Sequence, residues 1–330
     1  MGVSRAPKKL PPSEATLAVV NSAFWSALAV VALRTPHTGL LWLMGPILCT
    51  VASLGEATRM ERAAAQAQDF VLFGVLQFLF AALAAEKFAV MLMMPAAVLL
   101  TGTLRRGNRA AAVMCSALMD LPETEVAAAG EMLLTVLLLA ATAPWCGMLL
   151  DRWFFGVREE GGRAALPPPP PPVPTGILLR RAGALTTAAA LMYAVEWHFG
   201  HWIPLTVALL YLAATPGEET RRAALTRSLA AIPGFAAALL YLATVSYSDY
   251  RLNYLAGFYL TGAFYYSFRR GDYFGFSVMY MVICCVLNDL LLESSPLFAN
   301  GWELLFQSAV GTALGCAIAA AFAPGDTGRI

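Results

Sequence analysis

The sequence predicts an all-α polytopic membrane protein of about twelve transmembrane helices. They form two parallel six-helix repeats related by a pseudo-twofold axis along the membrane normal. Three observations lead there. Hydrophobic residues make up 59% of the 330-residue chain and charged residues 13%, with a mean hydropathy of +0.65; a soluble domain carries roughly a quarter charged residues. Apolar runs recur along the whole chain. Basic residues gather on every second connection, as alternating crossings require.

Residues 1–13, with Arg5, Lys8 and Lys9, read as a cytoplasmic tail. No cleavable signal peptide is expected, because the first apolar run leads straight into a polytopic pattern. The first repeat, 14–155, holds apolar runs at Ala15–Leu33, Leu40–Leu54, Phe70–Ala85, Phe88–Thr103, Ala110–Leu121 and Met132–Leu150. A linker over 156–176 contains Pro167 to Pro172 and Pro174. It reads as a semi-rigid polyproline tether. The second repeat, 177–323, holds runs at Ile177–Val195, Trp202–Ala214, Leu229–Val245, Leu252–Ser267, Tyr273–Leu292 and Leu304–Phe322, and 324–330 is a cytoplasmic tail. A perpendicular helix needs ~20 residues to cross ~30 Å of hydrocarbon. Ala110–Leu121 is the shortest run, and whether it spans fully stays open.

With the N-terminus inside and all twelve runs crossing, 19 of the 22 Lys and Arg residues fall on the cytoplasmic side; Arg34, Lys87 and Arg251 do not. Miscounting by one helix destroys this bias. Twelve crossings, or ten with a re-entrant pair, therefore fit better than eleven.

The halves resemble each other. Gly39–Trp42–Pro46 parallels Gly200–Trp202–Pro204, and Glu56–Arg59 parallels Glu219–Arg222. Leu104-Arg105-Arg106-Gly107-Asn108 parallels Phe268-Arg269-Arg270-Gly271-Asp272. Six helices per half is an even number, so the repeats point the same way.

Enzyme signatures are absent: no nucleophile elbow, no His-Glu-x-x-His, no phosphate loop and no dinucleotide fingerprint. No cofactor or metal is expected. The three histidines are His37, His198 and His201. The last two, beside Trp197 and Trp202, read as an interfacial loop or as a proton-sensing pair. All six cysteines lie in apolar runs and read as small core residues. A net charge of +1 gives no reason to expect nucleic acid.

Charged groups inside apolar runs are costly, and so are candidate sites. Asp289, with Asn288 beside it, and Asp120 hold comparable places in the two halves, while Glu131 and Glu303 open the sixth helix of each repeat. These four acids are candidates for proton coupling, since burial raises a carboxyl pKa. A plain preference of carboxylates for helix N-termini also accounts for Glu131 and Glu303. Arg105, Arg106, Arg269 and Arg270 recur on the cytoplasmic side. They read as topology anchors or as a basic vestibule that concentrates anions. All eleven tyrosines lie in the second half. Tyr259 and Tyr280 fall near mid-span and, with Gln307, Asn288 and Trp202, are candidates for substrate contact. Gly311 and Gly315 fit a close helix–helix approach.

Gly200 to Gly234 organises the whole. Trp202-Ile203-Pro204-Leu205-Thr206 begins a span, Glu218-Glu219-Thr220-Arg221-Arg222 forms a charged elbow, and Arg227 opens the next run. Trp202, Leu205, Thr206, the elbow arginines, Arg227 and Gly234 resemble the FUSC (fusaric-acid-resistance-like) family of the aromatic acid exporter superfamily. Ala230 and Ala231 stand where that pattern has Gly-Thr. The resemblance implies an exporter of aromatic carboxylic acids or related amphiphilic organic anions. With the four acids and the distribution of basic residues, the expectation is a proton-coupled exporter of a bacterial inner membrane with N- and C-termini cytoplasmic. The resemblance also implies a periplasmic adaptor as a partner, and a homo-oligomer is open to such a protein. A passive organic-anion channel and a non-transporting membrane scaffold are the alternatives.

Overall fold

A computed structural model describes residues 59–83, 86–103, 137, 141, 174–197, 200–213, 218–244, 272–291 and 297–323. Among the described residues the secondary structure is all helical. The helices are α1 (Arg59–Leu83), α2 (Lys87–Thr103), α3 (Thr175–Val195), α4 (Trp202–Ala213), α5 (Glu218–Thr244), α6 (Tyr273–Leu291) and α7 (Leu297–Phe322). The runs expected at Ala15–Leu33, Leu40–Leu54, Ala110–Leu121 and Leu252–Ser267 lie outside these residues. So do the tails and most of Met132–Leu150 and of the linker.

Local chemistry explains several boundaries. Pro174, at the N-cap of α3, already has an extended backbone (φ −55°, ψ 137°), which suits a residue that cannot donate to a preceding turn. Asp272 caps α6: its Oδ1 accepts the Gly275 N–H at 2.9 Å, and its carbonyl accepts the Phe276 N–H at 2.9 Å. α3 stops at Glu196, whose φ of 52° and ψ of 30° are left-handed.

Three helices start earlier than the apolar runs predict. α5 begins at Glu218 rather than Leu229, α1 at Arg59 rather than Phe70, and α7 at Leu297 rather than Leu304. The charged stretches read as elbows are helical because Glu, Arg, Ala and Leu are all good helix formers. Counting apolar residues does not see that. Glu303 therefore stands six residues inside α7, not at its opening. The N-terminal charge preference does not explain it.

α5 shows how these helices are solvated. Thr220, Ala223, Ala224, Arg227, Ala230, Ala231, Phe235 and Ala238 form one buried stripe, at helical spacing. Its opposite face exposes Leu225, Leu229, Ile232 and Leu240, each more than half exposed. Small and polar residues inside with large aliphatics outside is the inverse of a helix in water, and the arrangement that hydrocarbon favours. Among the described residues one helix, Glu219–Leu240, is long and apolar enough to cross a membrane; Lys87–Ala96, Trp202–Tyr211, Tyr273–Val282 and Phe306–Phe322 are shorter apolar segments.

The principal packing pairs are α5 with α6, α2 with α3, α4 with α7 and α5 with α7. Their directions follow from the contacts. Lys87 at the start of α2 meets Glu196 at the end of α3, so these two are antiparallel. Trp202 and Ile203 lie at Gly311, and Thr206 lies at Gly315, so α4 and α7 run parallel. Arg227 lies by Tyr273 at the start of α6, and Gly234 lies by Val278 and Met281 farther along it, so α5 and α6 also run parallel. Two consecutive described helices with the same direction need a return between them, where the sequence places the run Leu252–Ser267.

Candidate functional site

Arg227 decides where to look. It is fully buried (0% exposed) on α5, nine residues past the helix start. Its guanidinium carbon stands 5.2 Å from the centroid of the Tyr280 ring on α6, a cation–π contact. The Tyr273 hydroxyl and the Cys316 thiol lie near enough to feel its charge. Yet Nε, Nη1 and Nη2 make no hydrogen bond of ordinary geometry among the described residues. A buried guanidinium with five N–H donors and only the Tyr273 hydroxyl close by is destabilising, because no carboxylate among the described residues balances its charge.

Aromatic rings supply much of the wall. Tyr273, Phe276 and Tyr280 recur on one face of α6 and stack in sequence, with centroids 5.9 Å and 6.3 Å apart. On the neighbouring layer the Trp202 indole meets Phe235 edge-on at 5.8 Å, and His201 stacks on Trp202 at 6.2 Å. Close approach holds these layers together. A Cβ on Gly311 would stand 3.0 Å from Trp202 Cβ, and one on Gly315 only 2.6 Å from the Ile203 carbonyl oxygen. No residue other than glycine fits at Gly315 without displacing α4. A cation among flat apolar walls can hold an aromatic carboxylate: a fork for the charge and faces for the ring.

The expected site residues divide accordingly. Trp202 and Tyr280 are fully buried within this core, and Gln307 is buried on α7 at 8% exposure. The Trp202 Cβ lies over Gly311 and its ring meets Phe235. His201 lies in the turn that leads into α4, as the loop reading expects, but is buried there at 6% exposure; His198 lies outside the described residues. Asn288 and Asp289 lie on α6 and Glu303 on α7, but their side chains are outside the described residues. Asp120, Glu131, Tyr259, Arg105, Arg106, Arg269 and Arg270 lie outside them altogether. Arg227 itself reads in the sequence as the start of a run and not as a site residue. The signal that could have found it is its place, i+7 from Thr220 and i+4 from Ala223, on a small-residue stripe. A second arginine, Arg181 on α3, half-buried, lies 5.1 Å from the Tyr211 ring on α4.

The segment that builds this core was compared with known families. Residues 187–322 match the fusaric acid resistance protein-like family. The matched span includes all of α4 to α7 and only the C-terminal part of α3, from residue 187 on, and covers less than half of the chain. Of the residues that carry the resemblance in the sequence, Trp202, Leu205, Thr206, Arg227 and Gly234 are buried, whereas the elbow arginines Arg221 and Arg222 are exposed. The fusaric acid resistance protein-like segment is thus also the segment that surrounds the unmatched cation. No curated protein and no solved structure matches the chain.

Proposed function

We propose that the protein exports aromatic carboxylic acids or related amphiphilic organic anions across a bacterial inner membrane, with both termini cytoplasmic. The observation that carries this reading is the fully buried Arg227, set against the Tyr280 ring with no carboxylate and no hydrogen bond of ordinary geometry among the described residues. In a low-dielectric bundle such a cation strongly favours an anion beside it. The neighbouring rings favour an anion attached to an aromatic or aliphatic body. The family match agrees, since fusaric acid is itself an aromatic carboxylic acid. The lipid-suited face of α5 supports the membrane setting.

Export against a gradient needs an energy source, and protons entering through Asp120, Glu131, Asp289 and Glu303 are the proposed one. Asp289 shares α6 with Tyr280, and Glu303 shares α7 with Cys316. Coupling therefore has carboxyls on two of the helices that surround Arg227. Arg105, Arg106, Arg269 and Arg270 would gather anions at the cytoplasmic mouth. A periplasmic adaptor and a homo-oligomeric assembly belong to the same reading. A passive channel is the second reading, favoured by one observation. Arg227 makes no ion pair among the described residues, so an anion can bind there without any proton exchange.

The test is benzoate flux in proteoliposomes with and without an imposed pH gradient. Uphill movement abolished by a protonophore establishes coupled export. Downhill flux indifferent to the gradient establishes a channel. No flux for any carboxylate removes the transporter reading and leaves a scaffold.

A further inference from the structure

Hydroxyls within helices commonly donate to the carbonyl one turn back, and several here do so. Thr186 donates to Ala182 at 2.9 Å, Thr187 to Gly183 at 2.9 Å, Thr226 to Arg222 at 2.9 Å and Ser228 to Ala224 at 3.0 Å. Thr206, Ser308 and Thr312 do not. Each is fully buried at 0% exposure, and none of their hydroxyls makes a hydrogen bond among the described residues. The indole N–H of Trp202, also 0% exposed, is in the same condition. These four groups are not scattered. Ser308, Gly311, Thr312 and Gly315 fall on one face of α7 at helical spacing. Gly311 lies against Trp202, and Gly315 lies against Ile203 and Thr206. All four unmatched groups therefore lie on the seam between α4 and α7. The next residue on α7, Cys316, lies within reach of the charge of Arg227, so one end of the seam lies near the buried cation.

Each of these groups is a donor, and Trp202 is a donor only. Such groups in a dry seam are destabilising when unmatched; all four can donate to an anion, and the Trp202 N–H can serve nothing else. Passage requires α4 and α7 to part, which small residues at the contact ease. We infer that the α4–α7 seam is the exit path of the exported anion. Its carboxylate passes from Arg227 to Thr312 and Thr206, and then to Ser308 and Trp202. This rests on the reading of Arg227 as the anion site, and it places the path inside one six-helix unit rather than between the two repeats.

The experiment is cysteine accessibility in the full chain, with its six native cysteines replaced by serine or alanine. Ser308→Cys and Thr312→Cys are treated in membrane vesicles with the anionic thiol reagent 2-sulfonatoethyl methanethiosulfonate, with and without benzoate. Ile232→Cys, on the outward face of α5 (72% exposed), is the control. The expected result is labelling at 308 and 312, slowed by benzoate, with none at 232. Absence of labelling at 308 and 312 in protein that still moves benzoate overturns the seam and leaves the Arg227 reading intact. Labelling that benzoate does not slow also overturns it, as a seam that holds water but no anion. Thr312→Val, which keeps shape and removes the hydroxyl, is expected to lower flux roughly tenfold with half-saturation unchanged; unchanged flux overturns the inference. Full flux in Arg227→Gln overturns the anion site and the seam together.

Discussion

Two arginine–tyrosine contacts of nearly equal geometry occur in this bundle, at 5.2 Å for Arg227 over Tyr280 and 5.1 Å for Arg181 over Tyr211. Their surroundings differ. Arg181 stands six residues into α3 and is half-buried, so its stem can carry the charge toward the helix end and water. Arg227 is enclosed by α5, α6 and α7 and has no such route. The ring contact is common to both. What separates an anchor from a site is whether water or an anion must satisfy the guanidinium.

Replacing each arginine by methionine tests that distinction most severely. Arg227→Met keeps the volume and removes the unmatched charge. Benzoate flux should fall by roughly 100-fold or more, as loss of a charge-assisted fork implies. The melting temperature in detergent should hold or rise, because a buried charge without a partner is destabilising. Arg181→Met should lower flux less than about threefold. If Arg181→Met proves the more damaging, the comparison is inverted and the site belongs at α3.

The next largest effect concerns how tightly the buried pair is enclosed. In Gly315→Ala the new methyl would stand 2.6 Å from the Ile203 carbonyl oxygen and 2.8 Å from Thr206 Cβ, backbone and branch point that cannot swing aside. Overpacking of this kind costs about 1–3 kcal/mol, so both thermal stability and flux should fall. Gly176→Ala, near Arg181, meets nothing within 4 Å and should leave both unchanged. Equal effects at the two glycines would mean that α4 and α7 are not held in contact.

Much of this was legible in the sequence. The apolar runs placed α2, α3, α4 and α6 to within a few residues, and the Gly311–Gly315 spacing foretold a close contact that does form, against α4. The charged helix starts were not legible, because hydropathy marks where lipid begins and not where a helix does. For the same reason Arg227 was hidden: it follows the charged elbow and reads only as the residue that opens the next apolar run. Only the helical stripe Thr220–Ala223–Arg227–Ala230–Ala231 turns it inward. Tyr280 and Trp202 were found by their depth and motif. That their partners would be Arg227 and Phe235 depends on which helices adjoin, which no run length specifies.

Tyr280 gives a finer measure of the same contrast. Tyr280→Phe keeps the ring face over Arg227 and should change flux by about twofold, whereas Tyr280→Leu removes the cation–π contact of a desolvated pair and should lower flux roughly tenfold. Tyr211→Leu, under the half-buried Arg181, should cost no more than about twofold. The ratio of the two leucine effects reads out how far burial magnifies one geometry. A ratio near one would show that Arg227 is reached by water.

The smallest effect lies farthest from the core, where Lys87 Nζ and Glu196 Oε1 stand 3.5 Å apart with side chains 61% and 75% exposed. Such a pair contributes about 0.2–1 kcal/mol at most. Lys87 also lies 5.9 Å from the Tyr193 ring, a contact that survives loss of the carboxylate. Glu196 holds a left-handed backbone, φ 52°, which disfavours any residue with a Cβ by roughly 1–2 kcal/mol. The two terms oppose each other, so the substitutions separate them. Glu196→Gln keeps the backbone penalty and loses the charge, and should lower stability slightly. Glu196→Gly loses the pair but fits the helix end, and should raise stability by a few tenths of a kcal/mol. Opposite signs in two detergent melting curves would show that this rim is set by the chain's turn and not by its ion pair. Two losses of similar size would make the Lys87–Glu196 contact a real clasp between α2 and α3, and the rim more like the core than the exposure of its side chains implies.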